Sequence, residues 1–105
     1  MPVTPVSDIN EFHQIIAKDT YTVFDFWAQW CGPCKVISPI FEKLSEQFPA
    51  VEFYKVDVDA AEAISQELSI RAMPTFILFK NGQKVKEVVG ANPAALQQLL
   101  ASTQA

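Results

Sequence analysis

Apolar residues recur along this chain with two alternating periods, and the alternation predicts its elements. Val3 to Val6 reads as a short strand. Ile9, Phe12, Ile15 and Ile16 then recur at helical spacing behind Ser7 or Asp8, and Asp8 with Glu11 fits a capping box. Thr22 to Ala28 is apolar on both faces apart from Asp25, the pattern of a central strand covered by helices on each side. Val36, Ile37, Ile40, Phe41, Leu44 and Phe48 form the apolar stripe of a helix starting about Pro33, with Glu42, Lys43, Glu46 and Gln47 opposite. Pro39 lies inside that helix and should bend it. Val51 to Val58 reads as another strand, and Asp59 with Glu62 as a second capping box for a helix reaching about Leu68. Thr75 to Lys80 is a continuous apolar strand, and Asn81-Gly82 is the strongest short hairpin signal in the chain. Gln83 to Val89 returns beside it, with Lys84, Lys86 and Glu87 suited to a solvent-facing edge. Asn92 as N-cap and Pro93 in the first helical position open the last helix, with Leu96, Leu99 and Leu100 facing inward.

The order β-α-β-α-β-α-β-β-α predicts an α/β fold, a mixed sheet with helices on both faces. Right-handed crossovers would bring the second strand to the middle. No linker, repeat or low-complexity run interrupts residues 1–105, which read as one domain, and a hydrophobic content of 50% supplies a core without metal or disulfide staples. The net charge of -4 is spread along the chain, which argues against a nucleic-acid groove or a polybasic membrane patch. The start has no basic segment leading an apolar run, and no stretch approaches a membrane span. The expectation is a cytoplasmic monomer whose partners are proteins or small molecules, with neither nucleic acid nor membrane among them.

Two cysteines, Cys31 and Cys34, are the informative feature. A zinc site needs four ligands, yet the one histidine, His13, lies on the first helix and no second cysteine pair exists, so no metal is expected. A structural staple fails on magnitude: closing four residues stabilises by about 2 kcal/mol before ring strain, against about 4.7 for a 100-residue loop. A disulfide that forms and breaks readily is what thiol exchange requires. Cys31 would sit at a helix N-terminus, where unpaired amides and the positive dipole end favour a thiolate, and so should be the nucleophile. Gly32 permits a tight turn and Pro33 stiffens the first helical turn, holding the sulfurs within reach. Cys34, one turn in, should be the more buried, resolving thiol.

The segment Trp30-Cys31-Gly32-Pro33-Cys34-Lys35 resembles the active-site signature of the thioredoxin family. The resemblance spans essentially the whole chain and includes Asp25, Pro39, Lys55, Met73-Pro74-Thr75, Asn81-Gly82 and Gly90. Leu68 to Ala72 has no glycine where some relatives carry one. It implies the thioredoxin fold, a central five-stranded mixed sheet flanked by four helices, and a protein-disulfide reductase with no bound cofactor. It further implies that NADPH acts indirectly, through a flavin-containing thioredoxin reductase, with peroxiredoxins, ribonucleotide reductase and methionine sulfoxide reductases as recipients.

Single residues carry competing readings. Asp25 in an apolar strand could cap a neighbour or face solvent at an irregularity; if buried, its pKa rises and it can accept the Cys34 proton, a role the resemblance also implies. Lys55 could be an edge-facing charge, whereas resemblance places it near Asp25. Resemblance also implies a cis Pro74, with the backbone of Met73 pairing with an extended substrate segment. Trp27, Phe24, Phe26, Phe76 and Phe79 read as core, and His13 as lying on a solvated helix face. Trp30 is expected at the surface, forming an apolar docking patch with Gly32, Pro33, Met73, Pro74, Gly90 and Ala91. Gly-Pro between the cysteines suits a reductant rather than an oxidase or isomerase. A redox-gated binding module is the reading from a different class.

Overall fold

In the computed structural model, which describes residues 3–104, the elements run β1 (Val3–Pro5), α1 (Ile9–Ile16), β2 (Thr22–Trp27), α2 (Gly32–Gln47), β3 (Glu52–Asp57), α3 (Glu62–Glu67), β4 (Thr75–Lys80), β5 (Gln83–Val89) and α4 (Pro93–Ala101), then a 3₁₀ turn over Ser102–Gln104. Residues 1, 2 and 105 of the expected 1–105 span lie outside the described residues.

The five strands form one sheet in the order β1-β3-β2-β4-β5, which places β2 at the centre as expected. β1 and β2 run parallel to β3, while β4 is antiparallel to both β2 and β5. Alternate residues of a strand point to opposite faces, and here they divide the core in two. On one face Phe24, Phe26, Val56, Ile77 and Phe79 pack against Phe12 and Ile15 of α1 and Ile64 of α3. On the other, Val23, Phe53, Phe76 and Leu78 meet Ile37, Phe41 and Leu44 of α2 and Leu96, Leu99 and Leu100 of α4. Each such aromatic or aliphatic side chain stabilises by roughly 1.5–3 kcal/mol on leaving water. Asp25 shares its face with Val23, so it points toward the α2 layer.

Local signals held where the chemistry is short-range. The Asp8 carboxylate accepts the Glu11 amide, and the Asn92 side-chain oxygen accepts the Ala95 amide. Asn81 (φ 55°) and Gly82 (φ 79°) turn β4 into β5 with left-handed backbone at both positions, the geometry of a type I′ hairpin. Gly82→Ala, which meets no steric obstruction in space but must adopt that backbone, should cost about 1 kcal/mol in denaturant unfolding. An unchanged midpoint would contradict this.

Three expectations need correction. Asp59 does not cap α3: Ala61 occupies the N-cap with no side-chain bond, and the Asp57 carboxylate instead accepts the amides of Asp59 and Ala60. An acid at the end of a strand satisfied the turn before the helix began, and the sequence pattern placed the start two residues early. Val36 is 70% exposed rather than core-facing, because Ile37, Phe41 and Leu44 already fill the buried stripe of α2. Trp27 is only half-buried, since it closes the end of β2 rather than its middle. His13, exposed as expected, pairs with Glu67 at 2.8 Å and ties α1 to α3.

Candidate active site

The central strand delivers its C-terminal end directly to the cysteines. After Trp27 the chain leaves the sheet, the Cys31 amide bonds the Ala28 carbonyl at 3.1 Å, and α2 begins at Gly32 with Pro33 in its first turn. Cys31 is therefore the N-cap of a 16-residue helix. Its Sγ accepts the buried Cys34 amide N–H at 3.1 Å, so sulfur takes the place that a serine or aspartate oxygen usually fills. Positive helix-end potential and this donor both favour negative charge on Cys31 once the pair is reduced. Cys31 and Cys34 are joined in a disulfide, with Cα atoms 5.3 Å apart. They are 4% and 3% exposed, so burial hardly separates them; position in the helix does.

Beneath them lies a cleft of about 290 Å³ lined by Asp25, Trp27, Ala28, Cys34, Lys35, Ser38, Pro39 and Lys55. Asp25 is 3% exposed, and its Oδ1 is buried without a hydrogen-bond partner. Loss of hydration pushes its carboxyl up to about 7, an effect that the positive charge of Lys55 partly offsets. Lys55 is the register partner of Asp25 on the adjacent parallel strand, so the two share a face of the sheet, although they form no ion pair within bonding reach among the described residues.

The opposite side of the disulfide is built from loops. The Met73–Pro74 peptide is cis, and the Met73 carbonyl oxygen lies 3.5 Å from Cys31 Sγ. Pro74 is buried, its carbonyl accepting the Gly90 amide at 2.9 Å, which anchors the end of β5 beside the site. Gly90 adopts φ 103°, a conformation that strains any side-chain-bearing residue. Met73 and Gly90 are half-buried, Gly32, Pro33 and Ala91 exposed, and Trp30 is 68% exposed. Of the expected surface patch, then, Pro74 lies underneath and the others reach solvent.

Two contributors escaped the sequence reading. Asp59 accepts the Trp30 indole N–H at 3.0 Å and fixes that ring, a contact across 29 positions that no local pattern announces. Ser38 lines the cleft with Asp25; its spacing of four from Cys34, one helical turn, is a signal that could have found it. Among the described residues, no group of three or more His, Cys, Asp or Glu side chains is placed to hold a metal ion.

Sequence and structure comparisons agree with this geometry. The family model described as Thioredoxin matches residues 3–102. The chain is 52% identical over 100 residues to Thioredoxin-1 of Saccharomyces cerevisiae, covering 95% of this chain and 97% of that protein. The crystal structure of Malassezia sympodialis thioredoxin superposes with a TM-score of 0.94 at 51% identity, over 98% of this chain and 91% of the other. A structure describing thiol resolution in a yeast mitochondrial 1-Cys peroxiredoxin via glutathione/thioredoxin systems superposes with a TM-score of 0.91 at 40% identity, over 95% and 94% of the two chains. With a cysteine pair in bonding contact at the head of α2, the chain belongs to the thioredoxin family and is a protein thiol–disulfide oxidoreductase.

Proposed function

We propose that the reduced protein donates two electrons to client disulfides, with Cys31 as the attacking sulfur and Cys34 as the resolving one. The observation that carries this reading is the Cys34 amide donated to Cys31 Sγ at the N-terminus of α2. Thiolate Cys31 attacks one sulfur of the client disulfide; a mixed disulfide forms and the first client sulfur leaves as thiolate. Cys34 gives its proton to Asp25 and attacks Cys31 Sγ, so the Cys31–Cys34 bond forms and the second client thiolate departs. The client ends reduced by two electrons and the pair oxidised. Lys55 tunes Asp25 by its charge, while Gly32 and Pro33 set the loop that keeps the sulfurs together.

The exposed Trp30 and Ala91, with Met73 and Gly90, form the rim on which an extended client segment docks; the Met73 backbone offers its strand partner and the buried Pro74 sets its position. The pair returns to the dithiol at the expense of NADPH through a thioredoxin reductase. Clients include peroxiredoxins, as the yeast peroxiredoxin structure supports by likeness, together with ribonucleotide reductase and methionine sulfoxide reductases by family resemblance. A reductant of this kind works in a reducing compartment, for which the cytoplasm is the proposed one. Residues 1–105 act as a single domain.

The direction of transfer is tested by equilibrating the Cys31–Cys34 couple with defined mixtures of reduced and oxidised glutathione. A couple more reducing than the cytosolic glutathione pool is expected; one lying well above it would mark an oxidase or isomerase instead.

A further inference from the structure

Hydroxyl groups in helices usually turn back onto their own backbone, and this chain shows the habit repeatedly. Ser65, Ser102 and Thr103 each donate to the carbonyl three residues earlier, at 3.1, 2.6 and 2.7 Å, and Ser45 does the same to Glu42. Ser38 is different: no bond to the Lys35 carbonyl or to any other described group engages its hydroxyl, and the residue lines the cleft shared with Asp25, Cys34 and Lys55. Pro39 follows it and has no N–H to give to that same Lys35 carbonyl, so this part of α2 lacks one of its usual backbone bonds.

Asp25, when charged, needs a donor. Its Oδ1 is buried without a partner, and on β4 the residue paired with it is the apolar Phe76. The ionisable groups around it are Lys55 from β3 and Lys35 and Cys34 from α2. A carboxylate charged in this setting needs hydrogen-bond donors, and the side chains lining the cleft that carry N–H or O–H donors are Trp27, Lys35, Lys55 and Ser38, of which Ser38 offers the one hydroxyl. We propose that Ser38 is a positioning residue for the exchange reaction: its hydroxyl donates to the Asp25 carboxylate, directly or through one water, when Asp25 is charged and ready to take the Cys34 proton. The proposal deepens the assignment of Asp25 as proton acceptor and rests on it.

Stopped-flow reaction of the reduced full-length protein with 5,5′-dithiobis(2-nitrobenzoate) separates the steps. The first thionitrobenzoate leaves on Cys31 attack, and the second on unimolecular attack by Cys34. In Ser38→Ala the first phase is expected unchanged, while the pH midpoint of the second phase moves up by about one unit. Near pH 6.5 that phase should then slow roughly fivefold to tenfold. A carbon-13 NMR titration of the Asp25 carboxyl should move by the same amount, and Ser38→Thr, which keeps the hydroxyl, should restore both. Asp25→Asn should abolish the midpoint and make Ser38→Ala silent in the double variant. A midpoint lost in Asp25→Asn but unmoved in Ser38→Ala overturns the role of Ser38 alone. A midpoint that survives Asp25→Asn overturns the proton-acceptor assignment beneath it.

Discussion

Cys34→Ser is expected to turn the protein into a covalent trap. Cys31 remains at the N-cap of α2, where the residue-34 amide still supports its thiolate, so attack on a client disulfide proceeds. The second sulfur needed to displace the client is gone, and the mixed disulfide accumulates. Non-reducing electrophoresis against reduced controls, with intact mass of the adduct, checks this. Cys31→Ser should show the complementary result: no insulin reduction above dithiothreitol alone and no adduct, because Cys34 lies inside the first turn of α2 rather than at its cap and lacks the amide donor that Cys31 Sγ receives. Full activity in Cys31→Ser, or iodoacetamide alkylating both thiols of the wild-type dithiol equally slowly near neutrality, would remove the basis for assigning Cys31 as the nucleophile.

The second large effect is on stability and comes from Asp25. Its carboxyl sits at about 7 in the folded protein, against 3.8 as the ordinary value. Between those two pH values the folded state binds the proton more tightly than the unfolded state does. Stability from this group is therefore complete below about pH 4 and is lost as pH rises toward 7 and beyond. Asp25→Asn, which keeps the shape and removes the titration, should be more stable than wild type by on the order of 4 kcal/mol at pH 8. The advantage should fade to little at pH 4. Urea unfolding of both proteins across that range decides the matter; parallel stability curves would show that Asp25 keeps an ordinary carboxylate affinity for protons. The same variant should resolve mixed disulfides more slowly, so this site trades folding free energy for a proton acceptor.

What could be seen in advance was governed by the range of the interactions. Asp8, Asn92, Asn81 and Gly82 act within four residues of themselves, and each was legible. The central place of β2 followed because a strand apolar on both faces belongs in the middle. Asp25 was visible as the one charge in that strand, and its depth in the structure matches the anomaly. Asp57 and Asp59 were harder to tell apart: both are acids near the start of a helix, and only the register of β3 decides which carboxylate meets the turn amides. Val36 and Ile37 are adjacent apolar residues on one helix, and the line between buried and exposed falls between them only once the sheet is in place. The Trp30–Asp59 bond depends on two segments meeting in space, whereas Ser38 follows Cys34 by one helical turn and could have been read from that spacing.

The outer strand β5 has a bearing on the company this protein keeps. An extended segment of another chain carries free backbone donors and acceptors that can pair with an open sheet edge. β5 would be an open template for such segments along its whole length, and its residues are almost all exposed. Yet Lys84 and Lys86 stand along it, and the irregularity at Leu78 and Phe79 breaks the regular spacing of its pairing with β4, features that frustrate intermolecular β-sheet growth. Strand addition is thereby discouraged along the flank and left to the rim beside the sulfurs, where contact ends in release.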